Sequence, residues 1–184
     1  TGKDSVCRIT PGGVVTTVAG GGTVLPGDNA SLGATTAKLD SMTAGLPFTV
    51  DSAGNIYIYD ATMNNNNTSP NNGPRIRKVD TNGQMTTIAG AGTAFVEGGQ
   101  AMNVKLRSDQ TPSEMAIDGA GNLYYVRYNS GFGFSVCKIS ASGVVTTVAG
   151  GGTVVPGDTG AIVATTAKLS AVYTTAGLPI TVDS

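Results

Sequence analysis

The sequence predicts an all-β protein of short antiparallel strands in repeated units, and three observations carry that prediction. The first is the stretch Arg75-Ile76-Arg77-Lys78-Val79-Asp80-Thr81-Asn82-Gly83-Gln84-Met85-Thr86-Thr87-Ile88-Ala89-Gly90. It reads as two strands around a tight turn, and it recurs as Val6 to Gly20 and as Val136 to Gly150. The second is a hairpin, Asp51-Ser52-Ala53-Gly54-Asn55 followed by Ile56-Tyr57-Ile58-Tyr59. It recurs as Asp118-Gly119-Ala120-Gly121-Asn122 before Leu123-Tyr124-Tyr125-Val126. The third is composition. Charged residues are 12% of the chain, about half the ~25% usual in globular domains, and Gly, Thr, Ser and Asn fill the gap. That mixture suits β-branched strands with many turns. It argues against helical bundles and charged disordered tails.

Taken in order, residues 5 to 20 read as two strands. In Val14-Val15-Thr16-Thr17-Val18-Ala19 both faces are small and largely β-branched, the pattern of a strand covered on both sides. Gly20-Gly21-Gly22 ends it. This run and Gly150-Gly151-Gly152 lack the Lys-Ser/Thr of a phosphate loop, so they read as close approaches of backbone. A connection follows over 21 to 44. Its segment from Ala34 to Leu39 suggests about one helical turn that drops Leu39 onto the core, and the same Ala-x-x-x-Lys-Leu recurs at Ala101 to Leu106 and Ala164 to Leu169.

Residues 46 to 60 read as strand, turn, strand, with Ile56 and Ile58 on one face and Tyr57 and Tyr59 on the other. Asp51, Gly54 and Asn55, and likewise Asp118, Gly121 and Asn122, are expected to be structural turn residues. The Asp accepts from the turn backbone and the Gly supplies a positive φ. The motif lacks the acidic count and the closing Glu of a calcium loop. Residues 61 to 74 make an Asn-rich excursion with glycosylation acceptor patterns at Asn66 and Asn67, and Asn29 begins a third. The remaining chain repeats these parts. The units are a half unit at 1–20, a connection plus unit at 21–90, another at 91–150, and a connection plus one further strand at 151–184. The first and third copies share Gly-Val-Val-Thr-Thr-Val-Ala-Gly-Gly-Gly-Thr-Val, so a two-unit segment looks duplicated.

Charge and residue types narrow the function classes. The net charge is −1 and the isoelectric point is about 5.2, whereas a nucleic-acid binder carries a basic face. The one basic cluster, Arg75-Ile76-Arg77-Lys78, alternates across a strand, so no nucleic-acid partner is expected. No run approaches the ~18 apolar residues of a membrane helix and no signal peptide is seen, so no membrane insertion is expected. Low charge with abundant Thr, Asn and Gly points to a secreted or cell-surface protein. Cys7 and Cys137 hold equivalent places two units apart, too far for the ~7 Å Cα spacing of a disulfide, and are expected as partly buried free thiols. The chain contains no histidine, which removes the usual general base and metal ligand. Asp28 and Asp158 recur in the connections as candidate paired carboxylates but read first as Gly-Asp turns; Tyr57, Tyr59, Tyr124, Tyr125, Tyr128 and Tyr173 are candidates to line a binding surface, the strand tyrosines among them being expected to pack between units. No cofactor and no catalytic residue is expected.

The motif Asp51-x-x-Gly54-Asn55-Ile56-Tyr57, the strand Arg75 to Asp80, the turn Asn82-Gly83 and the ending Thr86-Thr87-Ile88-Ala89-Gly90 resemble the NHL repeat. The connection with Gly27-Asp28, Ala34 to Leu39 and Gly45-Leu46-Pro47 is similar to the long interblade segment of bacterial members. The resemblance covers nearly the whole chain. It implies a β-propeller of four-stranded antiparallel blades, commonly six to a ring, of which this chain holds about two and a half. Asp60 and Arg75 match the family's acidic and basic positions and are expected to form a local ion pair. The next copy departs from the pattern, with Arg127 and Ser135 in those places.

Three functional expectations follow. The first is a non-catalytic propeller scaffold for protein or glycan interaction. The second is a structural subunit of a fibre or surface layer that self-associates by blade completion, with Gly177–Ser184 of one chain joining Val6–Gly20 of another; the competing account of the half units is a window from a longer protein. The third, against which the missing histidine counts, is a metal-dependent propeller hydrolase or lyase.

Overall fold

A computed structural model describes residues 4–40, 46–61, 73–106, 114–129, 131, 133–157, 160–169 and 179–183. The Asn-rich excursion with Asn66 and Asn67, together with Asp158 and Tyr173, lies outside them. The described chain is all-β, with antiparallel sheets and three single 3-10 turns. Among the described residues no helix is long and apolar enough to cross a membrane.

The first sheet is the hairpin β1 (Ser5–Ile9) and β2 (Val15–Gly20). The second is built from β4 (Phe48–Val50), β5 (Ile56–Asp60), β6 (Arg75–Val79) and β7 (Gln84–Ala89), consecutive and antiparallel. A short strand from the preceding connection, β3 (Leu32–Gly33), adds to the outer edge of β7. The third sheet repeats the pattern with β8 (Met115–Ile117), β9 (Leu123–Asn129), β10 (Gly133–Ile139) and β11 (Val145–Gly150). The outer hairpin of each sheet carries a register shift at the same place, between Val6 and Cys7, Ile76 and Arg77, and Val136 and Cys137. The three outer hairpins thus share one register pattern.

The connections are structured where the sequence repeats. Ala34–Thr36, Ala101–Asn103 and Ala164–Thr166 each make one 3-10 turn. Leu39 and Leu106 beyond the first two turns are buried, and Leu169 is half-buried. Each connection is tied to the sheet it leaves by a glycine amide: Gly22 donates to the Ala37 carbonyl at 3.0 Å, Gly92 to Val104 at 3.3 Å and Gly152 to Ala167 at 3.1 Å. A Cβ at any of these three glycines would run into the carbonyl of Thr36, Asn103 or Thr166, which is why the Gly-x-Gly ending is retained in every copy.

The core comes in two slabs. One lies between the first and second sheets and joins Val6, Ala19, Ala34, Leu39, Ile58 and Met85. The other lies between the second and third and joins Tyr59, Ile76, Leu106, Tyr125, Cys137 and Val145. The second sheet thus buries Ile58 on one side and Tyr59 on the other, the two faces separated by strand alternation. The sheets stack in a row, with β4 beside β8, and the described residues do not close a ring.

Two expectations need correction. The strand Val14 to Ala19 is not covered on both faces. Val14 and Val15 are 58% and 61% exposed, while Val145, in the same sequence context, is 0% exposed. The difference is neighbours: both strands have the following connection against them, but the Val145 side of β11 is also covered by the preceding connection and the second sheet, whereas among the described residues nothing covers the Val15 side of β2. For the same reason the two thiols diverge, with Cys7 exposed and Cys137 buried, both free.

Candidate functional site

Three polar arrangements stand out, and each grows from a repeated position. The first is the turn after β4 and its copy after β8. The Asp51 carboxylate accepts from the Ala53 and Asn55 amides at 3.0 and 2.8 Å, from the Asn55 side-chain amide at 2.7 Å and from the Tyr57 hydroxyl at 3.1 Å. Asp118 accepts the same four bonds from Ala120, Asn122 and Tyr124, at 3.0, 2.8, 2.8 and 3.1 Å. Gly54 and Gly121 sit at φ of 89° and 79°, as the turn requires. Burial raises the Asp51 pKa, but the bonds from Asn55, Tyr57 and Ala53 outweigh it and hold the carboxyl below its ordinary value. Asp118 is likewise held low, chiefly by Asn122. Tyr57 is pushed up to about 12 by burial and by Asp51. The tyrosine at the end of the motif was read in the sequence as packing, and its brace onto the turn carboxylate was missed. The identical spacing from Asp51 to Tyr57 and from Asp118 to Tyr124 was the available signal.

The second arrangement is an ionic cluster on the outer half of the second sheet. Asp60 and Arg75 face each other in the register of β5 and β6, and the structure sets them in a larger group. Arg75 is bidentate to Asp28, with Nε to Oδ1 at 2.7 Å and Nη2 to Oδ2 at 2.9 Å, and gives Nη1 to the Gly90 carbonyl at 2.8 Å. Arg77 donates Nε to Asp60 Oδ2 at 3.0 Å and reaches the carbonyls of Gly27 and Pro26 at 3.1 and 3.3 Å. It also bonds the Thr87 hydroxyl. Asp60, Arg75 and Arg77 are buried at 0%, 3% and 3% exposure. The Arg75 bond, assisted by the charges of Arg75 and Arg77 against the cost of burial, keeps Asp28 below its usual range. Burial pushes Arg77 down, opposed by Asp60. Asp28 is thus more than a turn residue. It carries the connection onto the next sheet through charge-assisted bonds.

The third arrangement occupies the equivalent place on the third sheet, where Arg127, Ser135 and Cys137 stand for Asp60, Arg75 and Arg77. Without the two guanidiniums a polar cavity of about 410 Å³ opens, lined by Glu97, Arg127, Ser135, Thr147, Thr165 and the Gly150-Gly151 backbone. Glu97 accepts from the Thr147 amide and hydroxyl at 2.8 and 2.9 Å. The Arg127 guanidinium lies over the Phe95 ring at 4.1 Å, and its buried Nε has no protein partner. Burial raises Cys137 to about 11, so it is a neutral thiol at physiological pH. No family model matches the chain, and no curated protein matches it.

Proposed function

We propose that the chain is a non-catalytic scaffold of NHL-type β-propeller blades, acting in protein or glycan recognition outside the cytoplasm. The observation that carries this reading is how the acidic groups are used. Asp28, Asp51, Asp60 and Asp118 each accept hydrogen bonds from protein donors that brace a turn or tie a connection to a sheet. A carboxylate whose acceptor sites are filled in this way has little capacity left to bind a metal or relay protons. The cavity around Arg127 offers a guanidinium, a carboxylate, hydroxyls and a nearby aromatic ring, groups suited to the polyol face and charged substituents of a sugar. The extracytoplasmic placement rests on the low charge and the Asn- and Thr-rich composition.

The test is titration calorimetry against neutral and acidic oligosaccharides, with and without EDTA. The expected result is binding that Arg127→Ala removes, no turnover, and a melting temperature unmoved by chelation. Turnover that EDTA abolishes, or a melting temperature that EDTA lowers, would favour the metal-dependent hydrolase or lyase instead.

A further inference from the structure

The second and third sheets treat one place in opposite ways. On the second, the connection delivers its own carboxylate. Asp28 meets Arg75 through two parallel bonds, and Arg77 meets Asp60. On the third, that carboxylate is withheld. Gly22 and Gly92 are equivalent, each pressed against the backbone of its 3-10 turn, and six residues beyond them stand Asp28 and Gly98. Glu97, one residue earlier, turns to Thr147 and engages it with both oxygens. A guanidinium nevertheless remains, because Arg127 takes the place of Asp60, opposite Ser135.

Two polar groups lining the cavity are left over. Among the described residues the ion pairs belong to the second-sheet cluster, so Arg127 and Glu97 stand apart. The Arg127 Nε is buried and donates to nothing. Phe95 steadies the charge from one side without offering an acceptor in the plane of the guanidinium. Ser135 is 3% exposed and lines the cavity, and its hydroxyl has no hydrogen-bond partner among the described residues. Buried polar atoms are normally satisfied in folded proteins, so these two mark a place for a ligand. The volume of about 410 Å³ falls at the lower end of the ~300–1,000 Å³ of small-molecule sites. The cavity lies on the side of the third sheet turned to the second, where Tyr125 and Cys137 join the core slab between them.

We propose that this cavity binds an acidic sugar, a uronic acid unit whose carboxylate meets Arg127 as Asp28 meets Arg75. A guanidinium fork matches a carboxylate in plane, and the chain already uses that pairing on the second sheet. The remaining wall selects the rest of the ligand. Glu97 keeps lone pairs beyond those given to Thr147 and accepts from ligand hydroxyls, while Ser135 and Thr165 can donate or accept. An aspartate or glutamate side chain of a protein partner satisfies Arg127 but brings no hydroxyl to Glu97. A ligand with one carboxylate and several hydroxyls answers both. This inference rests on the glycan reading of the cavity and narrows it to carboxylate-bearing sugars.

The experiment titrates the whole chain by calorimetry with three probes: trigalacturonate, the neutral trisaccharide maltotriose, and N-acetyl-aspartic acid amide. Trigalacturonate should bind, and the other two should bind more weakly by about tenfold or more, the worth of a charge-assisted bond. Arg127→Met keeps the packing on Phe95 and should lower trigalacturonate affinity by about the same factor. Ser135→Ala removes a hydroxyl with no protein partner and should lower it to a smaller degree. Thermal melts of both variants certify folding. In the wild type, the Arg127 Nε–H resonance should move on adding trigalacturonate and stay in place with maltotriose, a readout that needs no variant. Equal binding of trigalacturonate and maltotriose overturns this inference and leaves the glycan reading standing. Equal binding of the blocked aspartate also overturns it and turns the cavity over to protein recognition. Trigalacturonate binding that Arg127→Met leaves unchanged, with a motionless Arg127 resonance, overturns it by placing the sugar elsewhere. Failure of all three probes to bind overturns both the inference and the glycan reading of the cavity.

Discussion

Asp51 and Asp118 show how one carboxylate can organise a turn, a strand start and a tyrosine ring. Removing the Asp51 carboxylate leaves two turn amides and the Tyr57 hydroxyl to find other partners. Bonds of this charge-assisted kind are worth about 1.5–3 kcal/mol where buried and less near the surface, so Asp51→Ala should cost about 1–2 kcal/mol in urea unfolding. Both carboxyls are held below their ordinary values. Their contribution is therefore fully present above the unfolded value of about 3.9 and is lost as pH falls through the lower folded value. Stability of the wild type should drop below about pH 4, and Asp51→Ala should flatten part of that drop. An unchanged acid limb in the variant would mean that the turn carboxylate is not what titrates.

Among the elements, the connection matters most, because it belongs to two sheets at once. It hangs from the sheet it leaves by a glycine amide, and it caps the next through β3 and the clamp of Asp28 with Arg75 and Arg77. Breaking a buried pair by removing one partner costs about 3–5 kcal/mol, because the other charge is left stranded. Arg77→Met should cost about that much, since Asp60 is fully buried beside it. The double variant Arg77→Met, Asp60→Leu should recover most of the loss, because apolar groups of similar size are tolerated in place of a buried pair. The third sheet shows that the fold manages with Cys137 in the Arg77 position. Equal destabilisation of the single and double variants, measured by thermal melts, would contradict this account.

Across the whole molecule, identical sequence meets different surroundings. Val15 and Val145 lie in the same repeat sequence, yet one is exposed and the other is sealed between sheets. Val145→Ala should cost about 2 kcal/mol, while Val15→Ala should change the stability of the single chain by less than about 0.5 kcal/mol. Amide exchange should follow the same order, slow in β10 and β11 and faster in β1 and β2, since a hairpin covered on one side opens more readily than one covered on both. Equal protection of the two hairpins would contradict this account.

Much of the local structure was legible in the residues themselves. The three hairpins, the turn glycines, the split of Ile58 from Tyr59 and the single turn before Leu39 follow from short-range rules: alternation, positive φ and apolar spacing act over a few residues. The clamp was half legible. Asp60 and Arg75 stand out in sequence, but their link to Asp28 and Arg77 spans a connection whose path depends on packing. Burial of the first hairpin was misread because alternation reports which faces are apolar and says nothing about what lies against them. The sequence alone determined the repeating sheet, its turns and the points where backbone must approach closely. Only the tertiary structure decided which carboxylate meets which guanidinium, which thiol is sealed, and where an apolar face is left open, since those depend on neighbours that arrive from tens of residues away.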